Sequence, residues 1–259
     1  MEGAASVKTL SVLVAEAFRP FFLGGAAFVA ILMTLWVTRL AGWNASPLGW
    51  DPIGWHAHEM VYGFVPAAIA GFLLTAVPVW TQSPHVRGAK LAAVFGVWVA
   101  GRVAMTVPLG LSTAGIAIID LAFLPALAIC IARPIFARGN IPKIIFPLLL
   151  LLMFLGNALT HWQQIDPGAG TGRLGLRIGI YVIALLIVII GGRIVPVFTG
   201  NAFRRDGIDR TVRRGPRLAK VSVGVTAVFF IVDATALSAE LSALFGGAAA
   251  LILFVRWAG

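Results

Sequence analysis

Eight runs of about 20 mainly apolar residues occupy most of this chain and restrict it to one class of fold. A helix needs about 20 such residues to cross the hydrocarbon core of a bilayer. The composition agrees, because 59% of the 259 residues are hydrophobic and only 12% are charged, against about a quarter charged in soluble domains. We predict an all-α, polytopic integral membrane helix bundle with helices at residues 20–41, 58–79, 91–107, 112–132, 144–162, 174–198, 218–237 and 240–257.

Lysine and arginine residues alternate between the loops, and this alternation orients the chain. Cations collect on the cytoplasmic side of membrane proteins. They occur in the leading segment and in the second, fourth and sixth loops, whereas the odd-numbered loops are nearly free of them. We therefore expect both termini in the cytoplasm. The cations concerned are Lys8, Arg19, Arg87, Lys90, Arg133, Arg138, Lys143, Arg204, Arg205, Arg210, Arg213, Arg214, Arg217 and Lys220.

The net charge of +10 does not indicate nucleic acid binding, because the basic residues lie in short loops and do not interleave with aromatic residues on an exposed face. We expect the cytoplasmic loops to contact anionic lipid headgroups instead. A single cysteine, Cys130, excludes an internal disulfide framework and any cysteine-based zinc or iron–sulfur site.

Three of the four histidines fall on the predicted outer side. His56 and His58 lie at the entrance of helix 2 beside Glu59, and His161 ends helix 5 on the same helical face as Asn157. Imidazole is a common ligand for haem iron, copper and zinc. In a regular helix His56 and His58 would point about 200° apart, so they would share a metal only if this segment were extended. The alternative is that these histidines bond headgroups or backbone at the interface.

The fourth histidine, His85, lies in a basic loop on the predicted cytoplasmic side. A solvated loop residue is the interpretation we favour for it. Strong site candidates are buried or clustered titratable groups.

Several charged residues interrupt the apolar runs. An ionisable residue at a helix centre costs roughly 2.5–3.5 kcal/mol on insertion scales, so it usually faces the protein interior and pairs. We expect Arg102 to pair with Asp120, either at a functional site or as a purely structural lock between helices 3 and 4. Arg177 and Asp233 lie nearer the interfaces, where a side chain can extend to the headgroups.

Helices 2 and 6 both end in Pro-Val-aromatic-Thr, at residues 78–81 and 196–199. Proline and glycine at such ends allow bends and close packing. Arg193 lies beside the second of these segments, where it would meet a propionate or a lipid phosphate, or extend to the headgroups. The repeated sequence suggests a duplication within one transmembrane domain, 1–259, with four-helix halves 1–140 and 141–259.

Five motifs occur in an order that resembles the NnrS family. These are polytopic haem- and copper-containing proteins of the bacterial inner membrane, associated with nitric oxide metabolism, nitrosative stress and denitrification. The family's chains are usually longer and have further histidines in their last third, so the resemblance implies a short member or a fragment. The motifs are FRPFFLG at 18–24, WHAHEM at 55–60, GFLLTAVP at 71–78, Gly101-Arg102 and GGRIVP at 191–196.

The resemblance implies a haem and copper protein that meets nitric oxide or a nitrosyl species. His56, His58 and His161 would be the candidate metal ligands, and Arg193 a further cofactor contact. Glu59, Arg102 and Asp120 would adjust the charge around the site. Whether the chain turns over a substrate as an enzyme is left open.

Two other functions agree with the same residues. The chain could be a metal-free small-molecule transporter that uses Asp120, Arg102 and Arg193 along its path. It could also be an assembly factor for a larger membrane complex.

Overall fold

A computed structural model of the chain describes residues 12–43, 50–139, 141–208, 215–235 and 238–258. All regular structure in these ranges is helical, and eight helices are long and apolar enough to cross a membrane. They are α1 (Phe18–Leu40), α2 (Pro52–Thr81), α3 (Gly88–Thr106), α4 (Thr113–Ala137), α5 (Ile145–Ile165), α6 (Gly172–Arg205), α7 (Pro216–Thr235) and α8 (Ala239–Ala258). The predicted fold class is confirmed, and the orientation of the termini stays a prediction.

The start of α2 is the correction to the sequence-based bounds that matters most for the site. We expected this helix to begin at His58, but it begins at Pro52. The Asp51 side chain caps it by accepting a hydrogen bond of 2.8 Å from the Gly54 amide, and Pro52 takes the first helical position. His56 therefore lies inside a helix, and the extended segment that would let His56 and His58 share a metal is excluded.

Some of the predictions fall beyond the described ranges. The cations Lys8, Arg210, Arg213 and Arg214 lie outside the described residues, as do the last two residues of predicted helix 7. Helix α6 continues past its predicted end at residue 198, so Arg204 and Arg205 belong to its last turn rather than to a loop.

Two of the long helices are locally irregular. Residues Glu59–Phe64 of α2 form a π-helical turn, a feature that often marks a functional site. Helix α4 consists of two segments, Thr113–Leu121 and Phe123–Ala137, that meet at Ala122. The π turn of α2 and the last residues of the first α4 segment carry the charged side chains of the candidate site.

The chain divides into two compact units, Met1–Gly179 and Ile180–Gly259. In the first unit α2 packs against α1 and the second segment of α4, which also packs against α5; the first segment of α4 packs against α3 and α5. Fully buried side chains of this unit include Phe21, Trp55, Leu73 and Phe146. The hypothesis of two halves at 1–140 and 141–259 stays a prediction.

In the second unit, polar groups join its helices. Arg256 of α8 donates to Ser222 Oγ of α7 over 2.6 Å and to the Val188 carbonyl of α6 over 3.3 Å. Tyr181 donates to Asp233 and stacks on Phe230 with ring centroids 4.5 Å apart. The prediction that Asp233 extends to the headgroups stays a prediction, and the structure adds the hydrogen bond that its carboxylate accepts from Tyr181.

Candidate metal centre

Three buried side chains from three helices of the first unit converge on one point. His58 of α2, Asp120 of α4 and His161 of α5 could each offer one ligand atom, and these atoms lie within 4.8 Å of one another. His161 Nε2 is 2.9 Å from Asp120 Oδ2, and His58 Nε2 is 3.5 Å from the same oxygen. All three residues are at most 2% exposed. We call this set the His58–Asp120–His161 cluster.

Helix α5 supplies a second contact one turn before His161. The Asn157 amide nitrogen donates to Asp120 Oδ2 over 2.8 Å, and its oxygen lies 2.8 Å from His58 Nε2. Thr160 donates to the Asn157 carbonyl. The prediction that Asn157 and His161 share a helical face is confirmed, and both reach Asp120.

An ion-pair network surrounds the cluster. Arg102 of α3 donates to Glu59 Oε2 and to Asp120 Oδ1, which confirms the expected Arg102–Asp120 pair and adds Glu59 to it. The other Glu59 oxygen lies 2.9 Å from His58 Nδ1. Two buried carboxylates and one guanidinium leave this network one negative charge in excess when the histidines are neutral.

Two glycines make room for the network. A side chain at Gly63, in the π turn, would overlap the Arg102 guanidinium, and its Cβ would lie 2.9 Å from Glu59 Oε2. A Cβ at Gly101 would lie 3.2 Å from Asp120 Oδ1. The Gly63 carbonyl accepts a hydrogen bond of 2.9 Å from the indole of Trp98. The glycines thus let α2, α3 and α4 approach closely enough for Arg102 to reach both carboxylates.

Tyr62, also in the π turn, ties α2 to the start of α6. Its hydroxyl donates to the Gly175 carbonyl over 2.5 Å. Side chains at Gly156 or Gly179 would overlap this hydroxyl or approach it too closely. The tyrosine therefore fixes the π turn to α6, and its ring centroid lies 5.5 Å from that of His58.

A cavity of about 590 Å³ reaches the cluster. His58 and Thr160 lie at its buried end, and exposed side chains such as Asp51 and Arg173 lie at its rim. Trp50 also lines it, with its ring centroid 5.0 Å from that of His58 and 5.7 Å from that of His161. Trp50 is 5% exposed, so its buried ring packs against both imidazoles beside the cavity.

Two predicted site residues lie apart from the cluster. The His56 ring stacks on Trp36 with centroids 4.2 Å apart, and it does not contribute to the three-residue group. Arg193 is exposed on α6, in the unit Ile180–Gly259. The helical spacing argument thus separated His56 from His58 correctly, while the roles of His56 and Arg193 stay predictions.

A family model described as NnrS protein matches residues 12–259. The chain belongs to the NnrS family. The match extends beyond residues 18–196, which hold the five motifs, and it includes α7 and α8. Neither the search of curated proteins nor the search of solved structures found a match. Metal binding is a property of the NnrS family, and the buried His58–Asp120–His161 cluster is the group of potential ligands in the described residues of this member.

The donor set of this NnrS protein suits a single metal ion. Two imidazoles and one carboxylate match the ligand preferences of copper, zinc and iron. Both ring nitrogens of His58 face oxygen acceptors, Glu59 Oε1 and Asn157 Oδ1. A metal at Nε2 would replace one proton there, while Nδ1 would keep donating to Glu59, the usual support of a metal-bound histidine.

The same cluster does not fit a haem held between its two histidines. Axial histidines stand on opposite faces of the macrocycle, but the rings of His58 and His161 have centroids only 5.2 Å apart. The same oxygen of Asp120, Oδ2, lies 2.9 Å from His161 Nε2 and 3.5 Å from His58 Nε2. There is no width for a porphyrin between these two rings.

Sequence reasoning did not find two residues of the site. Trp50 lies outside every apolar run, so no periodicity marked it. Thr160 is a single hydroxyl in an apolar helix, and no pattern assigned it to the polar face that Asn157 and His161 define. Both become visible only once α2 and α5 are placed side by side.

Proposed function

We propose that this NnrS-family membrane protein binds copper at His58, Asp120 and His161 and acts in nitric oxide metabolism, in relief of nitrosative stress or in denitrification. Family membership suggests the role in nitric oxide metabolism. The observation that carries the metal site is the convergence of three buried potential ligands from three helices; the choice of copper over zinc or iron rests on the family resemblance. Buried charged groups inside a membrane protein are costly and usually functional.

The surrounding residues have separate roles in this proposal. Glu59 accepts from His58 Nδ1 and so directs Nε2 towards the ion. Arg102 binds Asp120 Oδ1, so Oδ2, which accepts from Asn157, is the oxygen that faces the two histidines and would bind the ion. The excess negative charge of the network offsets part of the cation's charge. A bound copper ion would supply a redox-active Lewis acid that nitric oxide or a nitrosyl species can meet.

The cavity would be the route by which a small molecule reaches the cluster. Its rim carries exposed polar groups, and its buried end is formed by His58 and Thr160. Trp50 shields part of the two imidazoles because its ring packs edge-on against both. From the loop charges we expect this entrance on the outer side of the membrane, which we propose to be the bacterial inner membrane.

Metal content of matched histidine variants tests the proposal. The protein is purified from cells supplied with copper and haem, and its metals are measured by mass spectrometry. We expect about one copper per chain in the parent and in His85→Asn, whose loop histidine lies half-exposed beside Glu16. We expect a large loss of copper in His58→Asn and His161→Asn. Equal copper in all four proteins, or none in the parent, contradicts the proposal.

Haem is proposed from the family resemblance alone, and the optical spectrum of the same preparation tests it. A Soret band that survives His58→Asn and His161→Asn agrees with a haem held elsewhere in the chain. Absence of the band in the parent removes haem from the proposal. A metal-free parent whose solute uptake is lost in Asp120→Asn would support the transporter instead.

A further inference from the structure

A second buried polar cluster lies next to the metal centre and takes no part in it. It consists of Trp36 and Arg39 from the last turns of α1, and Trp55 and His56 from the first turns of α2. We call these four residues the Arg39 cluster. The ion pairs of the Glu59–Arg102–Asp120 network do not include any of them.

Aromatic contacts hold the four side chains together. The Arg39 guanidinium carbon lies 3.6 Å from the ring centroid of Trp55. The rings of Trp36 and His56 stack with an interplanar angle of 16°. Trp36 and Arg39 are three residues apart on α1 and so share a face. Trp55 is fixed in turn, because its indole donates to the Met105 carbonyl of α3 over 2.8 Å.

Several polar atoms of this cluster are buried without a hydrogen-bond partner. Arg39 is 7% exposed, and its Nε and Nη1 atoms are buried without a hydrogen bond. The same holds for Trp36 Nε1, for His56 Nδ1 and for Thr106 Oγ1, which follows Met105 on α3. Within the described residues no carboxylate forms an ion pair with Arg39; both oxygens of nearby Glu59 are engaged by His58 and Arg102.

The chemistry of these atoms selects the missing partner. Guanidinium and indole nitrogens only donate hydrogen bonds, and a hydroxyl and an imidazole N–H can do so too. A buried donor without an acceptor is costly, and a buried cation without a counterion is costlier still. A water molecule would satisfy the donors but add no negative charge, and the attraction of Glu59 for Arg39 is shared with Arg102. A group with negative charge and several acceptor oxygens satisfies both.

We propose that the Arg39 cluster is a binding site for a small oxyanion. The face of Trp55 covers one side of the guanidinium, so the anion meets the N–H groups at the edge of the guanidinium plane. Trp36 Nε1–H adds a donor from the same helix face. The chemistry is that of a nitrite, sulfate or phosphate ion, and it is supplied either from solution or by the phosphate of a lipid.

Thermal unfolding of delipidated protein at constant ionic strength tests this site. Sodium nitrite, sulfate or phosphate is titrated against sodium gluconate for the parent, Arg39→Met and the control Arg138→Met, which removes an exposed arginine. A ligand that binds the folded state raises Tm saturably. We expect that rise in the parent and in Arg138→Met but not in Arg39→Met. In gluconate alone, Arg39→Met should unfold at the same temperature as the parent or higher, because it removes an unpaired buried cation.

A second variant and a lipid arm complete the test. Trp36→Phe keeps the ring that stacks on His56 but removes the indole donor, so it should need a several-fold higher anion concentration for the same rise. If the site takes a lipid phosphate, native mass spectrometry detects a phospholipid retained by the parent and not by Arg39→Met. Anion-dependent rises of equal size in the parent and in Arg39→Met, together with no lipid difference, overturn the proposal.

Discussion

At the scale of single residues, charge pairing decides how this protein tolerates ionisable groups in an apolar core. Arg102 is 6% exposed and binds two carboxylates that are themselves buried. Its removal would leave Glu59 and Asp120 without their cation. The insertion cost of a charged residue therefore predicted the pair Arg102–Asp120 from the sequence. The sequence placed the third member, Glu59, beside His56 and His58, but did not predict its ion pair with Arg102.

Replacement of Arg102 should destabilise the protein strongly. Breaking one side of a buried ion pair typically costs about 3–5 kcal/mol, and Arg102→Met breaks two. We expect a loss of that order in the free energy of unfolding, measured by denaturant titration in mixed micelles. Arg138→Met, which removes an exposed cation, should change it by less than about 0.5 kcal/mol. A loss for Arg102→Met as small as that of the control would show that the ion-pair network does not stabilise the fold.

Trp50 packs against both imidazoles where the cavity meets the cluster. In Trp50→Ala the imidazoles become more accessible from the cavity, so a chelator should remove copper several-fold faster than from the parent. Trp162→Ala, which changes an exposed tryptophan one residue after His161, should leave the rate unchanged. Equal rates in all three proteins would show that Trp50 does not shield the metal.

At the scale of elements, the π turn Glu59–Phe64 positions the α2 side chains that contact the neighbouring helices. Regular α-helix resumes at Val65. Within the turn, Glu59 binds Arg102, Tyr62 donates to the Gly175 carbonyl and the Gly63 carbonyl accepts from Trp98. Hydrophobic length predicted that α2 exists, but no apolar period distinguishes a π turn from the rest of a buried helix. The early start of α2 was readable, since Asp51-Pro52 is an N-terminal cap signal.

A glycine pair on α2 and α3 tests the close packing at this turn. Gly63→Ala should destabilise the protein by about 1–3 kcal/mol through overpacking, because the added Cβ overlaps Arg102. Gly96→Ala is the matched control: it lies on α3 with nothing within 4 Å of the added Cβ. It should be neutral or stabilise by up to about 1 kcal/mol, the helix preference of alanine over glycine. Similar effects of both changes would argue against the tight crossing at Gly63.

At the scale of the whole molecule, the helices were predicted from the length of the apolar runs and the orientation from the loop charges. All eight helices were found from length alone, because the bilayer fixes how many apolar residues a helix needs. The same reasoning put three histidines at one depth. It could not say that His58 and His161 share Asp120 while His56 turns to Trp36, because that depends on how α2, α4 and α5 rotate against one another.

Orientation in the membrane is testable at this scale. In a Cys130→Ser background, Leu109→Cys places a thiol in the third loop and His85→Cys in the second. The positive-inside rule predicts that an impermeant maleimide labels intact cells or spheroplasts at position 109 only, and labels position 85 after permeabilisation. The reverse pattern would invert the topology and place the cavity on the cytoplasmic side.

The central claim is that His58 and His161 bind one copper ion, and pulsed electron paramagnetic resonance of the oxidised, copper-loaded protein tests it most directly. Remote imidazole nitrogens produce characteristic modulations, and their combination lines count the histidines on the ion. The geometry predicts two imidazoles in the parent and in His85→Asn, and at most one with weakened copper binding in His161→Asn. A spectrum without imidazole coupling, or one that His161→Asn leaves unchanged, would contradict it.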